Sequence, residues 1–203
     1  MSSTIHFFRA SALAFLVCAV VGCRETTTVA EPGVQTGTAA QWLDYLRALP
    51  ENSPAWGPAQ AHANAAVERL GANAVPALTE ALRDKRWQIR GFAVSALSRC
   101  GEHALPALPQ LVRALRDEHF LVQEAADFAV GNICLSSDRA LRKAVEMLSD
   151  PDPVVRADLA VQFGELGRRA TPALPELQKL TKDPDARVRD AATAAVTAIE
   201  TGP

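Results

Sequence analysis

The sequence predicts an all-α protein built from repeated helix pairs. Alanine and leucine are abundant and aromatic residues make up only 5% of the chain, a composition that favours closely packed helices over a β-sandwich. Apolar residues follow helical spacing, which is the second observation. The third is internal repetition, because one pattern returns at a constant interval along the chain, with its aspartate at Asp84, Asp117, Asp150 and Asp183.

Each repeat is predicted to contain two helices. In the first helix, Leu78 and Ala81 belong to an apolar stripe at helical spacing that returns in the next repeat. The second helix carries Ile89 and its equivalents, and Gly101 and Gly167 mark the ends of two second helices. Prolines fall in the opening turn of the first helix, where a missing N–H does no harm; they are Pro76, Pro109 and Pro175.

An aspartate lies in the predicted turn between the two helices, and six residues later an arginine or glutamine lies on the second helix. The turn carboxylate can accept hydrogen bonds from exposed N–H groups, and Asp152 and Asp185 are placed as N-caps in two repeats, with Pro153 at the first helical position of one. The arginine can reach the aspartate of its own or of the adjacent repeat. We call this set the Asp/Arg ladder: Asp84, Arg90, Asp117, Gln123, Asp150, Arg156, Asp183 and Arg189.

The same residues carry a resemblance to a known family. From Ala74 to about Glu200, four units resemble HEAT repeats, particularly the short type related to phycobilisome-lyase subunits. Each has the turn aspartate, a following “IR”, “VQ” or “VR” and a closing alanine-rich helix. The resemblance implies a right-handed α-solenoid of about five antiparallel helix pairs. It also implies that the second helices line the concave face, which in the family usually binds another protein.

The predicted domain boundaries follow from the repeat. Residues 38–71 lack the aspartate–arginine pair and are predicted to form a degenerate N-terminal capping helix pair. The four HEAT-like repeats are predicted at residues 72–101, 102–135, 136–168 and 169–203.

The N-terminal residues predict export and anchoring. Residues 1–22 read as a signal peptide, because the apolar run that begins at Ala10 is shorter than the roughly 20 residues of a membrane-spanning helix. The run ends in Gly22–Cys23, which resembles the lipobox of bacterial lipoproteins. An ordinary secretory signal followed by a chance cysteine is the alternative. Residues 23–37 are polar and turn-rich and predict a flexible tether.

The lipobox resemblance implies cleavage before Cys23 and its acylation, for example with palmitate. Acylation at more than one position would give firm membrane anchoring. The protein is therefore expected to be exported and lipid-anchored at the bacterial cell envelope, at the outer membrane or at the periplasmic face of a membrane. Arg24 follows the cysteine where the family's inner-membrane retention signal usually has an aspartate, which favours the outer membrane.

Charge and motif content argue against several classes of function. The formal net charge is −2, so we expect no nucleic-acid partner. His62, His103 and His119 lack metal-ligand spacing, and we expect neither a metal nor a cofactor. The Asp/Arg ladder is regular, whereas catalysis needs one asymmetric constellation of side chains, so the ladder is predicted to be structural.

Two cysteines remain in the repeats, Cys100 and Cys134, near the ends of adjacent second helices. A disulfide is one alternative, because an exported protein meets oxidising conditions. Helix axes lie about 8–10 Å apart while a disulfide needs Cα atoms within about 7 Å, so two buried small apolar side chains are the other alternative.

Partner-binding residues are predicted on the second helices. Trp87 and Phe120 occupy equivalent positions at the start of two of these helices, either as exposed anchors or as covers of the turn below. Carboxylates away from the apolar stripe could acidify the concave face; they are Glu124, Asp127, Asp158 and Asp190. The sequence as a whole predicts a non-enzymatic protein–protein interaction scaffold. A lyase-type enzyme subunit related to bilin lyases is the alternative.

Overall fold

The computed structural model describes residues 29–202 of the 203-residue chain. The predicted signal peptide and Cys23 therefore lie outside the described residues. Within residues 29–202 the secondary structure is entirely helical, which confirms the predicted all-α fold. The α-helices are α1 (Ala39–Ala48), α2 (Trp56–Leu70), α3 (Val75–Ala81), α4 (Trp87–Arg99), α5 (Leu108–Ala114), α6 (Phe120–Cys134), α7 (Asp138–Glu146), α8 (Pro153–Leu166), α9 (Leu174–Leu180) and α10 (Ala186–Thr201).

The helices form five consecutive pairs that stack into a solenoid. The first helix of a pair is short in most repeats and follows a 3-10 segment, as at Gly101–Ala107 and Gly167–Ala173. Among the second helices, α4 packs closely on α6 and α8 packs closely on α10. The pairs share one continuous apolar core, in which Trp42, Phe92 and Phe163 are the largest fully buried side chains.

Local sequence signals set the helix ends as predicted. Gly101 and Gly167 follow the last turns of α4 and α8 and have φ angles of +53° and +54°, values that side chains with a Cβ rarely adopt. Asp152 and Asp185 cap the N-termini of α8 and α10 through their carboxylates. Prolines occupy the first turns of three first helices, at Pro76, Pro109 and Pro175.

Arg86 of the first repeat binds the N-terminal helix pair. Nη1 of Arg86 donates to the carbonyl oxygens of Arg47 and Leu49, both at 2.8 Å, at the C-terminal end of α1. Its guanidinium also lies 5.4 Å from the ring centroid of Trp56. A cation at a helix C-terminus complements the exposed carbonyls there, so Arg86 fixes α1 against the following repeat.

The outer face of α10 is polar where the matching face of α8 is apolar. Thr193 and Thr197 of α10 stand one repeat interval after Ala160 and Gly164, which face α10 from α8. The hydroxyls of both threonines donate to carbonyl oxygens of their own helix, at 2.8 Å and 3.0 Å. This face of α10 is therefore exposed to water without a large apolar side chain on it.

The repeat that begins after α6 departs from the pattern. Cys134 stands where the neighbouring repeats have Gly101 and Gly167, and α6 continues as a helix through it. No 3-10 segment precedes α7. Ser137 is its N-cap, and the Ser137 hydroxyl accepts from the Ala140 N–H. The chain therefore enters this repeat with a different geometry, and α6 and α8 meet at only a few points.

Candidate functional site

Arginines of the Asp/Arg ladder bind two repeats at once. Nε and Nη2 of Arg90 each donate at 2.7 Å to one carboxylate oxygen of Asp117 in the next repeat. Nη1 of the same residue donates at 2.9 Å to the carbonyl oxygen of Asp84 in its own turn. Arg156 repeats this arrangement with the carboxylate of Asp183, at 3.0 Å for both bonds. Sequence spacing left open whether the arginine reaches the aspartate of its own repeat or that of the adjacent repeat. Arg90 and Arg156 both bind the carboxylate of the adjacent repeat.

The turn aspartates also organise their own turns. In every repeat the Oδ1 atom accepts from the backbone N–H two residues later, at 2.8–3.0 Å. This bond closes the turn between the two helices. The four acceptors are Asp84, Asp117, Asp150 and Asp183.

At Gln123 the Asp/Arg ladder has a neutral side chain in place of an arginine. The Gln123 amide donates to the carbonyl oxygen of Asp117 in its own turn, and among the described residues no basic side chain pairs with the Asp150 carboxylate. The ladder does not link two repeats at this step, because the glutamine is too short to span both. Arg189 binds only carbonyl oxygens of its own turn, Asp183 and Pro184.

The first aspartate of the ladder finds its arginine on an unpredicted helix. Nε of Arg47 on α1 donates at 2.7 Å to Oδ2 of Asp84. The sequence pattern predicts no such residue in the capping pair, because the arginines of the pattern lie only on second helices. Arg47 thus joins the capping pair to the first repeat, as Arg86 does from the opposite direction.

The ion pairs lower the pKa of the bound carboxyl groups. The hydrogen bond from Arg156 holds the pKa of Asp183 below its usual range, although burial opposes this. Burial would raise the pKa of Asp117, but the hydrogen bonds from Arg90 and from the His119 N–H outweigh burial and leave that pKa lowered. Both carboxylates are therefore ionised whenever the protein is near neutral pH.

A groove lies between α6 and α8, on the side of the solenoid formed by the second helices. Its volume is about 460 Å³. We call it the α6–α8 groove, and its lining residues are Leu115, Arg116, Phe120, Gln123, Glu124, Asp127, Asp158, Val161, Gln162 and Glu165.

Two sequence differences explain why this groove is open. The positions equivalent to Asp127 are Val94 in α4 and Ala160 in α8, both fully buried, whereas Asp127 is exposed. The other difference is Gln123 at the arginine position of the ladder. A carboxylate is costly to bury without a cation, so α8 cannot close over this face of α6 as α6 closes over α4.

The surroundings of two glycines show the same difference in helix packing. Gly131 of α6 and Gly164 of α8 are equivalent positions in successive repeats. A Cβ on Gly164 would lie 3.1 Å from the Cα atom of Ala195 in α10, whereas a Cβ on Gly131 would meet only the Leu166 side chain, at 3.7 Å. The backbones of α8 and α10 thus approach closely, and those of α6 and α8 do not.

The α6–α8 groove is lined by four carboxylates and one guanidinium. Nε and Nη2 of Arg116 hold both oxygens of Asp158, at 2.7 Å and 2.6 Å, and the aspartate is only 9% exposed as a result. Asp158 was predicted to acidify the surface for a partner; its charge is instead neutralised within the protein. Glu124 and Asp127 are exposed, as is Asp190 on α10.

The Asp127 and Glu165 carboxylates lie next to each other in the groove, and one neutral amide binds both. Nε2 of Gln162 donates to Asp127 at 2.6 Å and to Glu165 at 2.9 Å. Burial, and then the neighbouring charge of Asp127, raise the pKa of Glu165. Sequence reasoning missed Gln162, Glu165 and Arg116; the signal that could have found them is Asp127 at a position that is apolar in neighbouring repeats.

The two predicted aromatic anchors lie in different environments. The Trp87 ring is half-buried and stacks on the His119 ring in the next turn, with centroids 3.9 Å apart and an angle of 6° between the planes. Phe120 is 66% exposed at the mouth of the α6–α8 groove. Of the two, Phe120 is therefore the one that is available to a partner.

The two repeat cysteines are free thiols. Cys134 is fully buried, and burial raises its pKa to about 12. Cys100 is half-buried, and its thiol donates to the carbonyl oxygen of Ala96. The two thiols are not bonded to each other, in agreement with the alternative of two small packed side chains.

A second groove, of about 660 Å³, lies on the opposite side, between the 3-10 segment Gly101–Ala107 and α7. Its charges are largely paired with one another: Arg139 lies 3.5 Å from Glu102, and Lys143 lies 2.7 Å from Glu146. It is larger than the α6–α8 groove, and Asp150 is the one carboxylate of its lining without a basic partner among the described residues.

Comparison with protein families matches the repeat region. The family model for HEAT repeats covers residues 75–164 and 141–203, which is more than half of the chain. The protein belongs to the HEAT-repeat family. The resemblance predicted from the turn aspartates and helix pattern is thereby confirmed for the repeats. A search of curated proteins finds no similar sequence.

Solved structures similar to this HEAT-repeat protein include designed and natural helical proteins. An engineered protein is 18% identical with a TM-score of 0.40, over 87% of this chain and 95% of its own. A designed armadillo repeat protein is 20% identical with a TM-score of 0.39, over 86% and 90%. The CpcE–CpcF complex of phycocyanin lyase from Nostoc sp. is 20% identical with a TM-score of 0.41, over 77% and 96%. These similarities are too distant to say anything about function.

Two further properties concern the described part of the HEAT-repeat protein. Between residues 29 and 202, no helix combines the length and the apolar character needed to cross a membrane. The same residues contain no group of three or more histidine, cysteine, aspartate or glutamate side chains arranged to hold a metal ion.

Proposed function

We propose that this HEAT-repeat protein is a non-enzymatic scaffold that binds a partner protein through the second helices at the centre of the solenoid. One observation carries the proposal. Among residues 29–202, four of the five exposed large apolar side chains lie on the adjacent second helices α6 and α8. They are Phe120, Leu121, Phe128 and Val161.

Exposed aromatic side chains of this size are typical of binding surfaces. Phe128 is 69% exposed and stands seven residues after Leu121, so the two lie on one face of α6. Neither side chain is required by the repeat, since the equivalent positions hold Ser95 and Val161, or Gln88 and Val154. An apolar cluster beside a groove is the arrangement in which a few anchors supply most of the binding energy.

The proposal includes anchoring at the bacterial cell envelope. Acylation of Cys23 would place the solenoid close to a membrane. Of the predicted tether, residues 31–37 are held on α2, where Arg69 donates to the carbonyl oxygens of Val34 and Gly37 and His62 contacts Glu31. Residues 23–30 are left to span the distance to the membrane, and a random coil of that length reaches about 15 Å. Support comes from the lipobox-like residues Val20 to Cys23, with the small Gly22 beside the cleavage point.

Crosslinking and capture from the native envelope test the scaffold function. The intact protein is the bait, and Phe128→Ser is compared with Val29→Ser, which removes an exposed apolar side chain far from α6. We expect the parent and Val29→Ser to retain one specific partner and Phe128→Ser to lose most of it. Equal recovery with all three baits would contradict a binding surface on α6.

The lyase-type alternative stays a prediction from the sequence, and the same capture can address it. The intact mass of the captured partner is compared with the mass of that partner isolated from cells that lack this protein. A scaffold leaves the two masses equal. A mass difference that depends on this protein would favour the enzymatic alternative.

Membrane fractionation after a carbonate wash tests the anchor. Cys23→Ser should move the protein from the membrane fraction to the soluble fraction, because the acyl chains have no other attachment site. Cys18→Ser lies within the predicted signal peptide and should leave the distribution unchanged. Retention of Cys23→Ser on washed membranes would refute lipidation at this residue.

A further inference from the structure

We propose that the α6–α8 groove binds a cationic segment of the partner protein, in which a lysine or arginine lies close to a large apolar side chain. This inference rests on the proposed scaffold function and names the chemistry of the partner. The solenoid's own charges, its exposed apolar side chains and the opening between two repeats all point to such a segment.

The groove lies between two second helices that meet at only a few points, as α2 and α4 also do. At the equivalent interfaces, α4 meets α6 and α8 meets α10 with fully buried side chains such as Val94 and Ala160. The sequence places Gln123 and Asp127 on a face of α6 that α8 leaves uncovered. A segment of another chain that fits between α6 and α8 would occupy the space that a closer α8 would fill.

Negative charge remains in the groove after its own guanidinium is used. Nε and Nη2 of Arg116, the one guanidinium in the lining, both donate to Asp158. Glu124, Asp127 and Glu165 have no basic partner among the residues that line the groove. A lysine or arginine of a partner would find these carboxylates unpaired.

The geometry at Gln162 favours a cation between Asp127 and Glu165. One amide group donates to both carboxylates, so two negative groups share a single neutral donor. Gln162 is 4% exposed, and the two carboxylates that it binds lie within hydrogen-bonding reach of each other. An ammonium or guanidinium group near this amide would offset both charges at once, which the amide cannot do.

Exposed apolar side chains at the edges of the α6–α8 groove favour a partner segment that also carries a large apolar side chain. Phe120 and Val161 line opposite sides of the groove and are 66% and 46% exposed. A large apolar side chain of the partner would remove both from water. An arginine can also stack on the Phe120 ring, so both parts of the segment have a place.

Other partner classes fit this surface less well. A nucleic acid or another polyanion would bring negative charge against three unpaired carboxylates. A purely apolar helix would remove those carboxylates from water without giving them a hydrogen-bond partner, which is costly. The combination of charge and exposed apolar side chains therefore selects a segment that is both cationic and apolar.

Synthetic peptides test the chemistry directly on the full-length chain. Fluorescein-labelled (Arg-Leu)₄ is titrated by fluorescence anisotropy and compared with (Glu-Leu)₄ and (Arg-Ser)₄. We expect (Arg-Leu)₄ to bind, (Glu-Leu)₄ not to bind, and (Arg-Ser)₄ to bind more weakly because it lacks the apolar side chains. Equal binding of all three peptides would overturn the proposal, and so would tighter binding of the acidic peptide.

Variants place the binding in the groove. Asp127→Asn combined with Glu165→Gln keeps the shapes and removes both charges, and should weaken (Arg-Leu)₄ binding by about tenfold. Asp190→Asn removes an exposed carboxylate from α10, outside the groove, and is the matched control. An equal loss of affinity in the control and the double variant would show binding to general negative charge and would overturn the assignment.

A second measurement does not depend on the folding of the variants. Affinity of the parent protein for (Arg-Leu)₄ should fall as salt is raised, because exposed charges are screened at high ionic strength. Affinity that stays constant with salt would contradict a role for the carboxylates.

Capture from the envelope separates failure of this inference from failure of the scaffold function. A partner recovered equally by the parent and by the Asp127→Asn, Glu165→Gln double variant would refute the cationic-segment assignment and leave the scaffold function standing. A parent bait that recovers no specific partner would refute the scaffold function. Loss of the partner with the double variant alone would support both.

Discussion

The guanidinium of Arg90 and the carboxylate of Asp117 form a two-bond ion pair between adjacent repeats, with both donor–acceptor distances at 2.7 Å. The arginine side chain is 7% exposed and the aspartate side chain 10% exposed. Because the third guanidinium nitrogen holds a carbonyl of its own turn, one side chain fixes the relative position of two turns. Repeats that are alike in sequence thus stack with a defined register.

Loss of a ladder arginine should destabilise the protein. Arg156→Ala removes the two guanidinium N–H donors of the Asp183 carboxylate, which is 6% exposed. We therefore expect the free energy of unfolding to fall by about 1–3 kcal/mol. Arg189→Ala is the matched control, because this arginine holds carbonyl oxygens but no carboxylate, and its loss should cost less. Urea unfolding measures both. Equal unfolding midpoints for Arg156→Ala and the parent would contradict the role of the ion pair.

The ladder also predicts how stability depends on pH. Asp117 and Asp183 have folded-state pKa values below the ordinary value of about 3.9, so their contribution is present above that pH and is lost as the pH falls through the folded-state pKa. We therefore expect this contribution to the free energy of unfolding to be constant between about pH 5 and 7 and to decline below about pH 4.

Denaturation of Asp117→Asn combined with Asp183→Asn checks the acid dependence. The double variant should be less stable than the parent at neutral pH, because two arginines lose their carboxylates. Its stability should fall less steeply below about pH 4, because the titrating groups are gone. A parent and a variant with the same acid slope would show that other carboxyl groups cause the acid sensitivity.

Much of the fold could be predicted from the sequence because its signals are local. The constant repeat interval gives the number of helix pairs, and Gly101, Gly167 and Asp152 mark helix ends through their own backbone preferences. Neither signal requires knowledge of a neighbouring chain segment. The turn aspartate with its arginine was likewise recognisable, because its spacing repeats with the units.

Features that depend on the packing of whole repeats could not be predicted in the same way. Arg47 and Arg116 form ion pairs with Asp84 and Asp158 across distances of 37 and 42 residues, which match no repeat interval. The α6–α8 groove follows from Asp127 only once it is known which face of a second helix its neighbour covers. Sequence periodicity shows that a helix has a buried stripe, but not which exposed positions a following repeat will cover.

Closing the groove should increase stability and remove peptide binding. Gln123→Arg combined with Asp127→Val restores the residue types found at Arg90 and Val94. The new arginine can hold the Asp150 carboxylate, and the valine permits α8 to pack on α6, so we expect about 1 kcal/mol of added stability and weaker binding of (Arg-Leu)₄.

Thr193→Val is the control for this prediction. It introduces valine at the equivalent of Asp127 on α10, where none of the described helices packs and Thr193 is exposed, and should change stability by less than about 0.5 kcal/mol. Urea unfolding and the anisotropy titration are compared for both proteins. A restored variant that binds the peptide as tightly as the parent would refute the link between these residues and the open groove.

Two equivalent glycines should respond in opposite directions to substitution by alanine. Alanine is favoured over glycine inside a helix by about 1 kcal/mol, so Gly131→Ala in α6 should stabilise the protein, since its new Cβ would lie 3.7 Å from a single flexible side chain. Gly164→Ala in α8 brings the same helix gain, but its Cβ would lie 3.1 Å from the Cα atom of Ala195. Separating the backbones of α8 and α10 should cost about 1–3 kcal/mol, which outweighs the gain.

The comparison of these two variants tests the packing that creates the groove. Both change the same residue type at equivalent positions of successive repeats, so the helix preference cancels and only the proximity of the next helix differs. Urea unfolding should place the midpoint of Gly131→Ala above the parent and that of Gly164→Ala below it. If Gly131→Ala destabilised the protein as much as Gly164→Ala, α6 and α8 would have to lie in close contact, and the groove between them would not exist.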